Sequence, residues 1–196
     1  MQRLEKAWKK RAVWMGLMVC WLFLASCAKS GFEEEAKIAA RYRGESSFSA
    51  QLKATLDHGD HTTSYRMTHA FRPDEGHTMT VEEPATLSGL VIRAGKEELS
   101  LEYEGMIFTP QDMIGTSATP VKLLPALYRA WGMGISENVS FEKTEEGRLI
   151  VLDIFSKVDG DEFLLRTWFD ERTLFPTKAE CFFDGRRVLT CEYSQI

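Results

Sequence analysis

The sequence predicts a single α+β domain in which a strongly curved antiparallel sheet is covered on its concave side by helices. From residue 46 onwards, apolar residues recur at every second position in roughly ten short segments separated by turn residues, as antiparallel strands require. Two segments place apolar residues at helical spacing instead. No Pro-, Gly- or Ser-rich linker divides the chain, and one sheet of this length tends to curl. The two helices would then cover its concave face.

The chain begins with a segment that is typical of an export signal. Residues 1–11 contain five basic residues and one acidic residue, and residues 12–25 contain no charged side chain. Fourteen apolar residues would span about 21 Å as a helix, short of the ~30 Å hydrocarbon core of a bilayer. A cleaved signal peptide covering residues 1–27 is therefore favoured over a permanent membrane-spanning helix.

The apolar segment ends at Leu24-Ala25-Ser26-Cys27, which resembles a bacterial lipobox. In such a motif the signal peptidase recognises Leu24, Ala25 and Ser26, and the Cys27 thiol receives a diacylglyceryl group before cleavage makes it the new N-terminus. The alternatives are an ordinary signal peptide and an uncleaved signal anchor. We expect an extracytoplasmic protein that is lipid-anchored to the cell membrane. Ala28, rather than Asp, after the cysteine favours the outer membrane if the source has two membranes.

The export signal hides part of the acidity of the chain. Removing residues 1–27 from the chain's 24 basic and 29 acidic residues leaves 19 and 28, a net charge of -9 against -5 for the whole chain. An acidic body argues against nucleic acid as a partner and against binding to anionic lipid headgroups through surface charge. Membrane attachment would therefore rest on the acyl chains, at about 0.8 kcal/mol per buried methylene.

The remaining chain reads as a short tether at residues 28–33 and a domain at residues 34–196. Acidic residues at 33–35 and basic residues up to Arg43 suit a helix dipole and predict a first helix. Alternation then predicts strands at 48–56, 64–71, 77–82, 90–93, 99–103 and 106–108.

A second helix is predicted at residues 120–131, where apolar residues return at helical spacing. Pro125 lies in its first turns, so the regular helix is expected to begin near Pro125. Its apolar face would consist of Leu123, Leu124, Leu127, Tyr128 and Trp131. Strands resume at 139–143, 148–156, 162–170, 177–183 and 187–193, with Asp184-Gly185 as a hairpin turn signal before the last.

Several loose packing and turn patterns in this domain resemble those of a known family. They are the run from Glu83-Pro84 to Leu87-Ser88-Gly89, the pattern Leu99-x-Leu101-x-Tyr103-x-Gly105, and Trp168-Phe169-Asp170-x-x-Thr173-x-x-Pro176-x-Lys178-Ala179-Glu180. Together with the lipobox, they resemble the LolA/LolB-like superfamily of lipoprotein carriers and receptors, and within it the GerS-like germination lipoproteins of spore-forming bacteria. The resemblance implies an unclosed β-barrel that holds a hydrophobic cavity under helices.

The resemblance implies a non-catalytic protein that binds acyl chains or another apolar ligand in lipid or lipoprotein handling. The alternative is a GerS-like scaffold that docks a cell-wall enzyme outside the membrane. If there is a cavity, the residues expected to line it are Leu52, Tyr65, Met67, Met79, Leu101, Phe108, Leu127 and Trp131. The competing interpretation is that these side chains fill the interior completely, as apolar residues more often do.

The sequence contains no nucleophile elbow, zinc-protease motif, phosphate-binding glycine loop or dinucleotide fingerprint, so we expect neither an enzyme nor a cofactor. His58 and His61, with Asp57 and Asp60, offer metal ligands within one short turn. A solvated hairpin loop is the favoured interpretation, because no further ligand cluster accompanies them.

His69 lies on the apolar face of its predicted strand, where a neutral, hydrogen-bonded core histidine is the common outcome. His77 is its expected neighbour in the next strand. No catalytic site is predicted on this pair.

Cys181 and Cys191 belong to the domain and would lie in a compartment that permits a disulfide. Alternation places both on the inward face of adjacent strands. A three-residue loop at 184–186 would pair Cys181 with Leu189 and leave the cysteines diagonal, with Cα atoms at or beyond the ~7 Å limit for bridging. A five-residue loop would place them opposite each other. Two buried free thiols are favoured, and a disulfide is the alternative.

Overall fold

The computed structural model describes residues 31–43, 46–95, 99–108 and 119–196. The predicted signal peptide, the lipobox with Cys27 and residues 28–30 of the tether lie outside the described residues. The chain divides into two compact units, Met1–Glu34 and Glu35–Ile196, and the whole sheet belongs to the second. No helix in the described ranges is both long enough and apolar enough to cross a membrane.

The second unit is built from strands with few helices. Helix α1 covers residues 31–42, helix α2 covers Pro120–Met133, and a 3-10 turn covers Ala85–Leu87. The strands are β1 (Phe48–Asp57), β2 (Thr62–Arg72), β3 (Gly76–Glu83), β4 (Val91–Ala94), β5 (Leu99–Tyr103), β6 (Met106–Phe108), β7 (Asn138–Thr144), β8 (Gly147–Val158), β9 (Asp161–Asp170), β10 (Pro176–Phe183) and β11 (Arg186–Ser194).

All eleven described strands form one antiparallel sheet in the order β6-β5-β4-β3-β2-β1-β11-β10-β9-β8-β7. Strands that are adjacent in the sheet are also neighbours in sequence except at one place, where β1 pairs with β11 and joins the first six strands to the last five. Strands β6 and β7 are the edges, so the sheet does not close. The predicted fold class, an open curved antiparallel sheet with helices, is confirmed.

The core lies between one face of the sheet and helix α2. In β1 the residues at even positions from 48 to 54 are buried while their neighbours are exposed, which is the predicted alternation. Helix α2 buries Leu123, Leu124, Leu127 and Trp131 almost completely. The Trp131 indole Nε1 donates a hydrogen bond of 2.9 Å to Thr167 Oγ1 of β9, so a polar contact as well as apolar packing fixes this helix on the sheet.

The predicted start of α2 near Pro125 is wrong. The helix begins at Pro120, and Pro125 lies inside it. Pro120 suits the first helical position because its missing N–H would have no partner there, and the Leu123 N–H already bonds the Thr119 carbonyl oxygen at 2.9 Å. Pro125 removes only the hydrogen bond to the carbonyl of Val121, and the apolar face on both sides of it keeps the helix continuous.

The last hairpin, β10–β11, has the predicted pairing of Cys181 with Leu189, but its turn differs from the predicted one. Phe183 pairs with Arg186, so the turn has two residues rather than the expected three, and a bulge after Cys181 restores the pairing of Cys181 with Leu189. Cys191 pairs with Ala179, which leaves the two cysteines diagonal. Both are buried free thiols, and the alternative disulfide is not formed.

Candidate functional site

A cleft of about 930 Å³ lies between helix α2, the β2–β3 hairpin and the end of α1. Its size is that of a small-molecule site, for which volumes of about 300–1,000 Å³ are usual. Three separate parts of the second unit therefore meet around one opening. The residues that line it are Tyr42, Arg43, Phe71, Pro73, Asp74, Glu75, Gly76, His77, Ala94, Gly95, Pro125, Tyr128, Arg129, Gly132 and Met133.

Two glycines allow the walls of the cleft to approach each other. Gly76 opens β3 with φ of +84°, and a Cβ there would lie 2.7 Å from the Ala94 carbonyl oxygen. Gly132, near the end of α2, faces the Tyr42 carbonyl oxygen so closely that any Cβ would overlap it. Both positions therefore require glycine, for backbone conformation and close approach at Gly76 and for close approach at Gly132.

One wall of the cleft is aromatic. The Phe71 ring lies 4.4 Å from the Tyr128 ring, measured between centroids, and 4.8 Å from the His77 ring. The Tyr128 hydroxyl donates to the Ser46 carbonyl oxygen at 3.0 Å, which anchors α2 beside the start of β1. Pro125 and Met133 of α2 extend this apolar wall. Such a surface suits the hydrocarbon part of a ligand.

A histidine pair leads from the core to the cleft. His69 Nε2 lies 3.0 Å from His77 Nδ1, within hydrogen-bond distance, and the two rings stack. His69 is buried, and His77 lines the cleft. Burial lowers the pKa of His69 to about 3, with the charge of His77 adding to the effect. Burial and the charge of Arg129 lower the pKa of His77 to about 4. Both rings are neutral at pH 7, as the sequence predicts for His69.

The charged groups of the cleft are unevenly distributed. Arg43 and Arg129 make no ion pair with any described residue, whereas the guanidinium of Arg72 contacts both carboxylate oxygens of Glu75 at 2.9 and 3.1 Å. Asp74 is the other acid that lines the opening. Among the lining residues that the structure describes, two arginines and one acid therefore have no ion-pair partner, which leaves an excess of positive charge.

The predicted cavity residues lie elsewhere, and none of the eight lines this cleft. Leu52, Met67, Met79, Leu127 and Trp131 are packed in the core. Tyr65 and Leu101 are partly buried at its margin, and Phe108, on edge strand β6, is 48% exposed. The five buried side chains form part of one packed core. Their role as cavity lining stays a prediction.

Arg43, Arg129 and Met133 line the cleft, although no motif in the sequence assigned them to a site. Arg129 follows Tyr128 directly in α2, which is a visible signal for a polar opening beside that helix. Nothing in the sequence relates Arg43, at the end of α1, to Arg129, which lies 86 residues further along the chain.

The other candidate ligands of the sequence lie in an exposed turn. There the rings of His58 and His61 stack at 4.5 Å, and Asp60 Oδ1 lies 2.7 Å from His61 Nδ1. Among the described residues no group of three or more His, Cys, Asp or Glu side chains could hold a metal ion. Another cleft, of about 360 Å³, lies beside Asp170 and Tyr193.

Several solved bacterial structures have a similar fold at low sequence identity. A domain of Vibrio parahaemolyticus described as an outer membrane lipoprotein-sorting protein is 12% identical, with 86% of this chain and 92% of that chain covered and a TM-score of 0.46. A LolA superfamily protein of Nitrosomonas europaea is 15% identical, with 86% and 91% covered and a TM-score of 0.40. A chain of the complex between the CwlD amidase and the GerS lipoprotein of Clostridioides difficile is 14% identical, with 76% and 85% covered and a TM-score of 0.38.

These likenesses concern the fold. The structures similar to this chain include LolA-type and lipoprotein-sorting domains, the group that the sequence motifs resemble. No family model matches the sequence, and no curated protein matches it either.

Proposed function

We propose that the protein is a non-catalytic, extracytoplasmic lipoprotein that is anchored through Cys27 and binds an acyl chain or another apolar ligand. The observation that carries this proposal is the cleft of about 930 Å³ with its aromatic wall of Phe71 and Tyr128. A long hydrocarbon chain gains free energy by leaving water for such a wall, at roughly 25 cal/mol per Å² buried.

The chemistry of the cleft supports binding rather than catalysis. Histidine is the most frequent general base in enzymes, and His77, with a pKa of about 4, is a weak base at pH 7. Its partner in the hydrogen bond is another histidine with a lowered pKa rather than a carboxylate. The pair therefore lacks the acid that orients and activates histidine in nucleophilic enzymes.

Lipid binding can be tested on the purified, delipidated protein with a fluorescent fatty acid and, in parallel, by native mass spectrometry after purification without delipidation. We expect saturable binding of the probe and competition by unlabelled dodecanoate. Met133→Asp and Met106→Asp form a matched pair, because both methionines are about half exposed, at 55% and 52%, and only Met133 lines the cleft. M133D should weaken binding and M106D should not. No co-purifying lipid and no probe binding would contradict the proposal.

The anchor is tested separately. Cys27→Ala should abolish incorporation of a labelled fatty acid into the protein during growth and shift the chain away from the membrane fraction. Unchanged labelling would show that Cys27 is not the lipidated residue.

One observation favours the GerS-like alternative, a scaffold that docks an extracytoplasmic cell-wall enzyme. Edge strand β6 exposes Met106, Ile107 and Phe108, and an exposed apolar edge strand can pair with a strand of a partner. Affinity capture from the native host should then recover a stoichiometric protein partner, and Ile107→Lys should prevent its capture. Capture that I107K leaves unchanged would exclude this edge as the docking site.

A further inference from the structure

The hydrogen-bond pattern of His77 fixes the orientation of its ring. His77 Nδ1 lies 3.0 Å from His69 Nε2, and the His77 ring packs against the rings of Phe71 at 4.8 Å and Tyr128 at 5.4 Å. Because Nδ1 faces buried His69, the other nitrogen, Nε2, faces away from His69, and His77 is one of the residues that line the cleft.

The same pattern decides which nitrogens carry hydrogen. Only one hydrogen lies between His69 Nε2 and His77 Nδ1. If His77 donated it, the single hydrogen of neutral His69 would sit on Nδ1, which is buried and has no hydrogen-bond partner among the described residues. A buried N–H without an acceptor is rarer than a buried acceptor without a donor. His69 therefore donates from Nε2, and His77 carries its hydrogen on Nε2.

His77 thus presents a neutral N–H donor of fixed direction to the cleft. The lowered pKa of His77 keeps the ring uncharged at pH 7, so the donor is present without a permanent charge that would need a counter-ion. Arg43 and Arg129 line the same cleft without an ion pair to any residue in the described ranges, and Arg129 is close enough to act on the titration of His77.

We propose that His77 Nε2–H, with Arg129 and Arg43, binds the acidic head group, carboxylate or phosphate, of a single-chain acyl ligand whose hydrocarbon chain lies against Phe71 and Tyr128. The proposal rests on the proposed function and specifies the ligand class. Donors and cations that converge beside an apolar wall match an amphiphile with one negative end. Asp74, at the tip of the β2–β3 hairpin, would repel an anionic head group. A head group bound nearer to the arginines than to Asp74 would avoid this repulsion.

Four probes separate the parts of this proposal: dodecanoate, dodecyl phosphate, the neutral dodecanol, and inorganic phosphate. Dodecanoate and dodecyl phosphate should bind about ten-fold or more tightly than dodecanol, because a hydrogen bond to a charged group contributes about 1.5–3 kcal/mol. Inorganic phosphate should bind much more weakly than dodecyl phosphate, because it lacks the chain. A difference between the two acidic amphiphiles would identify the preferred head group.

Variants test the named residues. Arg129→Gln and His77→Phe should each weaken dodecanoate binding at least about five-fold and weaken dodecanol binding much less, because a neutral hydroxyl gains less from these donors than an anion does. His77→Gln, which keeps an N–H donor, should recover part of the loss. Arg66→Gln is the control, since Arg66 is exposed and paired with Glu83 outside the cleft. In nitrogen-15 spectra, the His77 ring should show Nε2 protonated, with a shift on adding dodecanoate but not dodecanol.

The outcomes are distinguishable. Equal affinity for dodecanoate and dodecanol, or R129Q and H77F binding as the unmodified protein does, would overturn the head-group site and leave acyl binding standing. Binding of none of the amphiphiles would overturn the proposed function itself. Equal affinity for inorganic phosphate and dodecyl phosphate would show a simple anion site and contradict the acyl ligand.

Discussion

The hydrogen bond between Trp131 and Thr167 fixes helix α2, one wall of the cleft, on the sheet, and its contribution can be measured by a double-mutant cycle. Both residues are 1% exposed, and the Nε1–Oγ1 distance is 2.9 Å. Thr167→Val keeps the side-chain shape but leaves the buried indole N–H without an acceptor, which should lower the free energy of unfolding by about 1–3 kcal/mol. Trp131→Phe should cost at least as much, because it orphans the Thr167 hydroxyl and also leaves a void.

The double variant W131F/T167V contains neither orphaned group. It should therefore be more stable than the sum of the two single effects predicts, by about 1 kcal/mol or more. Urea unfolding followed by far-ultraviolet circular dichroism supplies all four free energies. Trp168→Phe is the control. The Trp168 indole lies beside Lys178 on the other side of β9, so the effects of W168F and T167V on the free energy of unfolding should add without coupling. If W131F and T167V add within about 0.5 kcal/mol, the hydrogen bond does not fix α2 and the reasoning fails.

Three further predictions concern the histidine pair, the buried thiols and the contact between the helices. Because the pKa values of His69 and His77 fall to about 3 and about 4, the unfolded chain binds more protons below its own histidine pKa of about 6.5. Stability should therefore be full above about pH 6.5 and fall as the pH drops towards 4, by at most about 1.4 kcal/mol per pH unit for each histidine. Urea midpoints should show this slope in the unmodified protein and much less of it in H69L/H77F, and an equal slope in both would contradict the account. Burial raises the pKa of the Cys191 thiol to about 12 and that of Cys181 above its usual value, so a thiol reagent should label neither in the folded protein and both in denaturant. Rapid labelling of the folded protein would count against the buried positions. Gly132→Ala should destabilise by about 1–3 kcal/mol through overlap with the Tyr42 backbone, whereas Met133→Ala, at the exposed next residue, should change little, and a neutral G132A would contradict the close approach of the helices.

Local sequence patterns were sufficient to predict the fold, because apolar residues recur at every second position in the strands and at helical spacing in the helices. The alternation in β1 and the helical spacing in α2 depend only on which face is buried, and burial is shared by every residue along the face. The two errors, at Pro125 and in the loop after Phe183, arise where one residue's local preference competes with its surroundings. A proline inside a helix and a bulge beside a two-residue turn are both permitted once the neighbouring packing fixes the chain.

The site was harder to predict, for a physical reason. Choosing inward-facing apolar residues selects those that pack best, and Leu52, Met79 and Trp131 are core for that reason. A cleft forms where packing stops, at the junction of elements distant in sequence. The adjacency of His69 and His77 was predictable, because these residues lie on two strands joined by a short turn. The presence of Arg43 and Arg129 in the same cleft depends on the whole fold.

The filled centre of the sheet has a consequence for any ligand. With Leu127 and Trp131 of α2 packed onto the sheet and fully buried, an acyl chain cannot occupy the space under the helix unless α2 moves away. Moving it would break the Trp131–Thr167 hydrogen bond and expose a large apolar face, which is far more costly than filling an open cleft. Binding beside α2 should therefore leave the Trp131–Thr167 contact intact, and binding beneath it should not. The fluorescence of Trp131 distinguishes the two when it is recorded in a W168F variant without residues 1–27, which contain the other three tryptophans. An unchanged emission maximum on adding ligand supports the cleft, and a shift to longer wavelength supports displacement of the helix.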